Sequence, residues 1–228
     1  MEETSVIPLL GERESVEQRV AATLRNLIVK GRLPEGTHLV HRDLAKRLGV
    51  SPTPVRVSLT QLEREGLVEV GATGRATVSR VTREDFEEIY AARSGLEGLA
   101  ARVGAVAVVD ADVKSMRRTL ADLRAFARGK YVDQYLASRW TFHATCYRAS
   151  GRVRLVDEVE RLFRRSERYN RLVLSTATRF RESVSRYGAF LEACEARDGE
   201  AAERAVQASI RWAVDRVGPL LPSESDPP

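Results

Sequence analysis

The stretch Gly31–Ser79 reads GRLPEGTHLVHRDLAKRLGVSPTPVRVSLTQLEREGLVEVGATGRATVS, and its punctuation decides the fold of the first third of the chain. Arg42–Leu48 fits a short helix with Leu44, Ala45 and Leu48 on its apolar side. Gly49-Val50-Ser51 makes a turn, and Ser51-Pro52 matches a helix start, with serine as cap and proline in the first helical position. Val55, Leu59 and Leu62 then recur at helical spacing until Gly66 ends the run. Leu67–Val70 and Arg75–Ser79 alternate around Gly71-Ala72-Thr73-Gly74, the pattern of a small hairpin. Two short helices across a glycine-containing turn, followed by a glycine-tipped hairpin, spell a winged helix-turn-helix.

Upstream, Ser15 and Gln18 form a capping-box pattern that opens a further helix. Val16, Val20, Leu24, Leu27 and Ile28 give its stripe, and Gly31 stands beyond its end. Residues 15–80 therefore hold three helices and a hairpin, preceded by a flexible, acidic tail over 1–14. From Thr82 the pattern changes to long helices. Six are expected: from Thr82 to about Val106, Asp110–Gly129, Val132–Ser150, Val153–Ser175, Arg179–Arg197 and Asp198–Val217. In the first of these, Phe86, Ile89, Tyr90, Leu96 and Leu99 are the candidate core residues. Residues 82–220 read as an all-α helical bundle, and 221–228 as a flexible Pro/Ser/acidic tail. The expected fold class is mainly α: an N-terminal winged helix-turn-helix, then an all-α bundle.

Composition narrows the class without choosing a function. The chain has 228 residues, is 43% hydrophobic and 30% charged, and carries 37 Lys+Arg against 32 Asp+Glu, a net +5. That balance excludes a wholly disordered chain. No apolar run approaches the roughly 18 residues a membrane helix needs; Val103–Val109 is the longest. The opening Met1-Glu-Glu-Thr-Ser lacks the basic start and apolar run of a secretory signal. Cys146 and Cys194 cannot make a disulfide framework and read as small buried thiols. A cytoplasmic protein without membrane contact is the expectation.

Position says more than total charge. Arg42, Lys46, Arg47 and Arg56 stand against Asp43 alone, a net +3 within residues 41–56. With Val55, Leu59 and Leu62 turned to the core, the third helix leaves Ser51, Thr53, Arg56 and Thr60 outward. Small hydroxyls and one arginine at a helix start suit a major groove, where the free amides also meet phosphate. Gly74-Arg75 at the hairpin tip places a cation for a neighbouring groove or phosphate. A basic cluster by itself would equally suit a solvated helix face. The order helix, turn, helix, hairpin favours DNA.

These residues resemble the GntR family of bacterial transcription regulators. The resemblance is carried by Gly31-Arg-Leu-Pro-Glu-Gly36, Leu44-Ala45, Leu48-Gly-Val-Ser51, Thr53-Pro-Val-Arg56 and Leu59-x-x-Leu-x-x-Glu-Gly-Leu-Val68. It implies that Arg42, Ser51, Thr53, Arg56, Gly74 and Arg75 contact operator DNA. Where the family usually has arginine this chain has Pro52, and where it has Glu-Ala this chain has Val57-Ser58. An operator somewhat different from the common family sequence is the consequence.

The remainder resembles the effector domain of the FadR-like branch, the FCD domain, through Tyr90-x-x-Arg93-x-x-x-Glu97, Phe142-His143 and Ala149-Ser-Gly151. Many members hold a divalent metal through Asp-x-x-x-His and two further histidines. Aligned to that pattern, this chain keeps His143, with Arg139 in place of the aspartate and Tyr187 and Ser209 in place of the other histidines. One imidazole beside an arginine is a poor site for a divalent ion, so no metal and no cofactor is expected. Arg93, Arg139, His143, Tyr187 and Ser209 remain as candidates for one pocket, in which Arg139 holds an anionic metabolite by its charge. The alternative is a collapsed pocket with Arg139 paired to a glutamate such as Glu97. His143 taken alone reads as a satisfied core histidine.

No catalytic constellation assembles. Of three histidines, His38 and His41 lie beside the helix-turn-helix and His143 is isolated. Neither cysteine has a nucleophile context, and no phosphate-cradling loop occurs. The expected protein is not an enzyme but a homodimeric, DNA-binding regulator, a repressor answering to an anionic effector. A constitutive DNA-binding dimer is the alternative.

Overall fold

The computed structural model describes residues 15–71, 73–129, 131–173 and 177–223, with the side chains of 172, 173 and 177–180 left aside. The tail expected over 1–14 lies outside these residues. The chain divides into two compact units, Met1–Ser79 and Arg80–Pro228.

In the first unit, α1 (Val16–Val29) begins as its capping box requires. Ser15 Oγ accepts from Gln18 N at 3.2 Å, and Ser15 N donates back to Gln18 Oε1 at 2.7 Å. Val20, Leu24 and Ile28 are buried, whereas Val16, expected in the same stripe, is 43% exposed. Val16 is the first residue of the helix, one turn beyond the reach of the core. Helix α2 (His41–Leu48) closes on Gly49, whose φ of 66° is the left-handed value that glycine adopts without strain. Helix α3 (Pro52–Arg64) buries Pro54, Val55, Ser58, Leu59 and Leu62. Ser58 Oγ lies 2.8 Å from the carbonyl of Glu17 and 2.8 Å from that of Pro54, a polar stitch between α1 and α3. A second stitch is bidentate: Arg25 Nε and Nη2 meet Glu65 Oε2 and Oε1 at 2.7 and 2.6 Å. The wing is an antiparallel pair, β1 (Val68–Val70) with β2 (Ala76–Val78), in the register Val68↔Val78 and Val70↔Ala76. Both strands are shorter than the alternating runs in the sequence.

The second unit is a helical bundle. Helix α4 (Arg83–Ala105) starts on Thr82, whose hydroxyl accepts from Asp85 N. It is followed by α5 (Asp110–Gly129), α6 (Val132–Ala149) and α7 (Val153–Arg165). Then come α8 (Glu167–Val173), α9 (Ala177–Ser185), α10 (Tyr187–Glu195) and α11 (Gly199–Val217). Two of the six expected helices are each broken in two. The breaks fall at Ser166 and Arg186, and hydroxyls compete for the ladder at both. Ser166 Oγ takes the carbonyl of Phe163 at 2.7 Å, and Ser185 Oγ that of Glu182 at 2.8 Å. Helix α11 starts on Asp198, which accepts from Ala201 N at 2.9 Å.

Helix α4 packs by small residues. Gly98, Ala100, Ala101, Gly104 and Ala105 are buried, while Leu99, expected inside, is 40% exposed because the neighbouring helices meet the small face instead. The chain end does not hang free from residue 221 as expected. Leu221 is buried, Pro222 O accepts from Arg83 N at 2.8 Å, and Ser223 Oγ donates to Glu84 Oε1 at 2.6 Å. Residues 224–228 lie outside the described residues. Cys146 and Cys194 are buried free thiols. Among the described residues no helix is long and apolar enough to cross a membrane.

The close approach at Gly104 sets a test. A Cβ there would stand 2.2 Å from the backbone oxygen of Cys146, whereas nothing lies within 4 Å of one at Gly95 in the same helix. Gly104→Ala should destabilise the protein by about 1–3 kcal/mol or more, and Gly95→Ala should stabilise it by roughly 0.5–1 kcal/mol. Equilibrium urea unfolding followed by circular dichroism reads both. Equal effects would contradict the packing described here.

Candidate nucleic-acid interface and buried arginine pocket

The helix-turn-helix carries exposed cations on α2, α3 and the wing. Arg42, Lys46, Arg47, Arg56 and Arg75 are all exposed. None of them has an ion pair or side-chain hydrogen bond among the described residues. The second unit differs: Arg93, Arg117, Arg164, Arg165, Arg171 and Arg197 each hold a carboxylate. Unpaired cations keep their charge available to an external anion.

At the start of α3, Ser51 has the extended backbone of a cap, but its hydroxyl makes no capping bond and is exposed. Thr53 and Arg56 are exposed beside it. Thr60 Oγ1 donates back to Arg56 O at 3.2 Å, so its hydroxyl is engaged within the helix. At the wing, Gly74 adopts φ 73° and donates to Gly71 O at 2.8 Å, which turns the chain into exposed Arg75. The structure places all seven residues named for DNA contact at the surface, on α2, the start and middle of α3, and the wing tip. It adds two more. His38 and His41 line an open groove of about 480 Å³ with Leu39, Val40, Gly74, Arg75 and Ala76. Their one signal in the sequence is nearness to α2.

In the bundle, α6 carries Tyr135, Arg139, Phe142, His143 and Tyr147 at helical spacing. A cavity of only about 20 Å³ is walled by Tyr135, Arg139, Asn170, Ser183, Tyr187, Ser209, Trp212 and Ala213. That is space for about one water. Arg139, Tyr187 and Ser209 thus come together as expected, but Arg93 and His143 do not line this cavity. Tyr135, Asn170, Ser183 and Trp212 carry no motif; only Tyr135, one turn before Arg139, is placed by spacing. The walls are hydroxyl-rich, and Tyr135 OH donates to Ser183 Oγ at 3.0 Å; the wall residue Asn170 accepts at Oδ1 from Tyr90 OH, outside the lining, at 3.0 Å.

Arg93 is 1% exposed and lies beside Glu97, Nε to Oε1 at 2.6 Å, while Tyr147 OH donates to the other carboxylate oxygen at 3.0 Å. Glu97 is therefore the partner of Arg93 and not of Arg139. The Arg93 and Arg139 guanidiniums both lie against the ring of Phe163, at 5.0 and 4.6 Å from its centroid. Among the described residues, Arg93 Nη1 and Arg139 Nε are buried donors without a partner. Of the two guanidiniums only that of Arg93 holds a carboxylate among the described residues, and the cluster is short of negative charge. His143 adds none of either sign. Burial, then the charges of Arg139 and Arg93, hold its pKa well below the usual histidine range. It sits among Phe142, Tyr187 and Phe190, with Nδ1 3.4 Å from Tyr147 OH. This is the core histidine of the simpler reading. The set His143, Arg139, Tyr187 and Ser209 does not fit a divalent ion, since a guanidinium occupies the place of an anionic ligand. Among the described residues no three His, Cys, Asp or Glu side chains group to hold a metal.

Comparison with known proteins agrees on both units. The family "Bacterial regulatory proteins, gntR family" matches residues 16–78, and the FCD domain family matches residues 88–211. The HTH-type transcriptional regulator McbR of Escherichia coli is 26% identical over 189 residues, 82% of this chain and 85% of its own. The probable D-xylose utilization operon transcriptional repressor of Paenarthrobacter nicotinovorans is 31% identical over 135 residues, and the match spans 59% of its length and 58% of this chain. The gluconate operon transcriptional repressor of Bacillus licheniformis is 30% identical over 137 residues, 60% of this chain and 56% of its own. Among solved structures, E. coli McbR/YncC superposes with a TM-score of 0.77 at 22% identity, covering 90% of this chain and 98% of that one. A GntR regulator from Rhodococcus sp. RHA1 gives 0.71 at 23%, covering 88% and 96%.

The buried imidazole makes a pH prediction. Below about pH 6.5 the unfolded chain takes up a proton at residue 143 that the folded chain resists, so stability falls as pH drops. The slope from one such group is up to about 1.4 kcal/mol per pH unit. His143→Gln should lose less stability than the parent between pH 6.5 and 5, as read by urea unfolding at each pH. Parallel curves would show that the imidazole is protonated inside the fold.

Proposed function

The chain belongs to the GntR family of bacterial transcription regulators, with a winged helix-turn-helix and an FCD domain, and from that premise we propose a homodimeric repressor released or engaged by a small anion. The family acts on DNA and not as enzymes. The relatives named as repressors, for xylose utilization and for gluconate, support the sign of regulation. In this reading α3 enters the major groove of operator DNA with Ser51, Thr53, Arg56 and Thr60. Arg42 and the wing residues Gly74 and Arg75 meet the flanking backbone or minor groove. The observation that carries it is the set of exposed cations on α2, α3 and the wing that have no protein partner among the described residues. One winged helix reads a short half-site, so a two-fold dimer on a two-fold operator follows. Such a protein works in the cytoplasm.

For the effector, the shortage of negative charge around Arg93 and Arg139 supports a carboxylate or similar anion held in the bundle by Arg139, with Tyr187 and Ser209 as neighbours. A ligand changes operator affinity only by binding the DNA-competent and DNA-incompetent states unequally. A cavity no larger than a water must widen to admit one, and that widening is a difference between states. The same narrowness favours a second reading, a constitutive DNA-binding dimer.

Two measurements decide. With a duplex recovered from a random-sequence pool as probe, Arg56→Ala should weaken binding by at least about tenfold; unchanged affinity at moderate salt would remove α3 as the reader. With gluconate, acetate and inorganic phosphate as probes, one anion should raise the melting temperature of the parent and not of Arg139→Met, because a ligand of the native state stabilises it. No shift with any of them, and no change in DNA affinity, would leave the constitutive reading.

A further inference from the structure

Val57 is a large apolar residue that the first unit leaves 47% exposed, in a helix whose other branched aliphatic side chains, Val55, Leu59 and Leu62, are buried. Thr53, Arg56, Val57 and Thr60 are spaced so that they share one stripe of α3. A β-branched residue gains nothing for an exposed helix surface. Single exposed valines elsewhere, such as Val106 and Val153 in the second unit, need no explanation. Val57 differs because its immediate neighbour is Arg56, an exposed cation, and because Arg56, Arg42, Lys46 and Arg47 are all exposed and unpaired among the described residues. A surface so charged repels a second copy of itself and attracts a polyanion. In the major groove the one strongly apolar group at a base edge is the C5-methyl of thymine.

We infer that Val57 is a specificity-determining residue, packing its methyls on the C5-methyl of a thymine in each operator half-site. Thr60 supports the contact, since its hydroxyl is turned back to Arg56 O and leaves its methyl as the group on offer. The half-site then combines a hydrogen-bonding base met by Arg56 with a thymine met by Val57, one position along. The inference rests on α3 being the reading helix.

The test uses the full chain and the duplex recovered from a random-sequence pool. Each thymine is replaced in turn by deoxyuridine, which keeps every hydrogen-bonding group and removes only the methyl. Binding is read by fluorescence anisotropy for the parent, Val57→Ala and Arg56→Ala. In the parent, one thymine per half-site should cost about fourfold on loss of its methyl, and about fifteenfold when both half-sites are changed. Val57→Ala should bind the thymine duplex about as weakly as the parent binds the uracil duplex, and should show no further loss on uracil. If no position is sensitive to uracil while Arg56→Ala weakens binding, the thymine assignment fails and α3 remains the reader. A full uracil penalty retained in Val57→Ala gives the methyl to another residue and overturns the inference. If Arg56→Ala and Val57→Ala both bind as the parent does, both assignments fall.

Discussion

A guanidinium taken out of water must find a negative charge, and Arg93, at 1% exposure, finds it in Glu97. The pair lies within one helix, but neither residue can be satisfied by that helix alone. Glu97 needs Tyr147 from α6 for its second oxygen, and Arg93 stacks on Tyr90 and on Phe163 from α7. The packing of α4, α6 and α7 is therefore tied to one desolvated ion pair. Around it the aromatic side chains of α6 and α10 close a dry shell that leaves His143 uncharged. Arg139 stands at the edge of that shell without a carboxylate of its own among the described residues, so the cluster is incomplete in charge.

The two units use arginine in opposite ways. In the bundle, surface arginines clasp carboxylates a turn away or on a distant helix, and such exposed pairs contribute little each. Their arrangement spends positive charge internally. The helix-turn-helix does the reverse: it fixes its own core with apolar residues, the Ser58 stitch and the Arg25–Glu65 pair, and leaves the cations of α2, α3 and the wing open. The net +5 of the chain hides this division.

Much of this was legible because it depends on local rules. The capping box at Ser15, proline at the start of α3, the left-handed glycines 49 and 74, and the caps at Thr82 and Asp198 each act within a few residues. What was not legible depends on partners distant in sequence. Leu99 faces out because α4 meets its neighbours through glycine and alanine, a choice visible only once those helices are in place. The breaks at Ser166 and Arg186 turn on which carbonyl a serine hydroxyl selects. At the pocket, spacing along α6 located Arg139, but it could not separate the wall residues from Arg93 and His143, which serve the ion pair and the aromatic shell behind it. Asn170, Ser183 and Trp212 come from three other helices and share no register with α6.

The fastening of the chain's last described residues has a mechanical meaning. Helix α11 supplies Ser209 and Trp212 to the cavity wall, and just past its end Gly218, Leu221 and Pro222 accept hydrogen bonds from Arg83. Arg83 is the first residue of α4 and lies four residues along the chain from Ser79, where the first unit ends. The bundle is thus a loop whose beginning and end are buckled together. That fastening lies only a few residues from the covalent link to the winged helix-turn-helix.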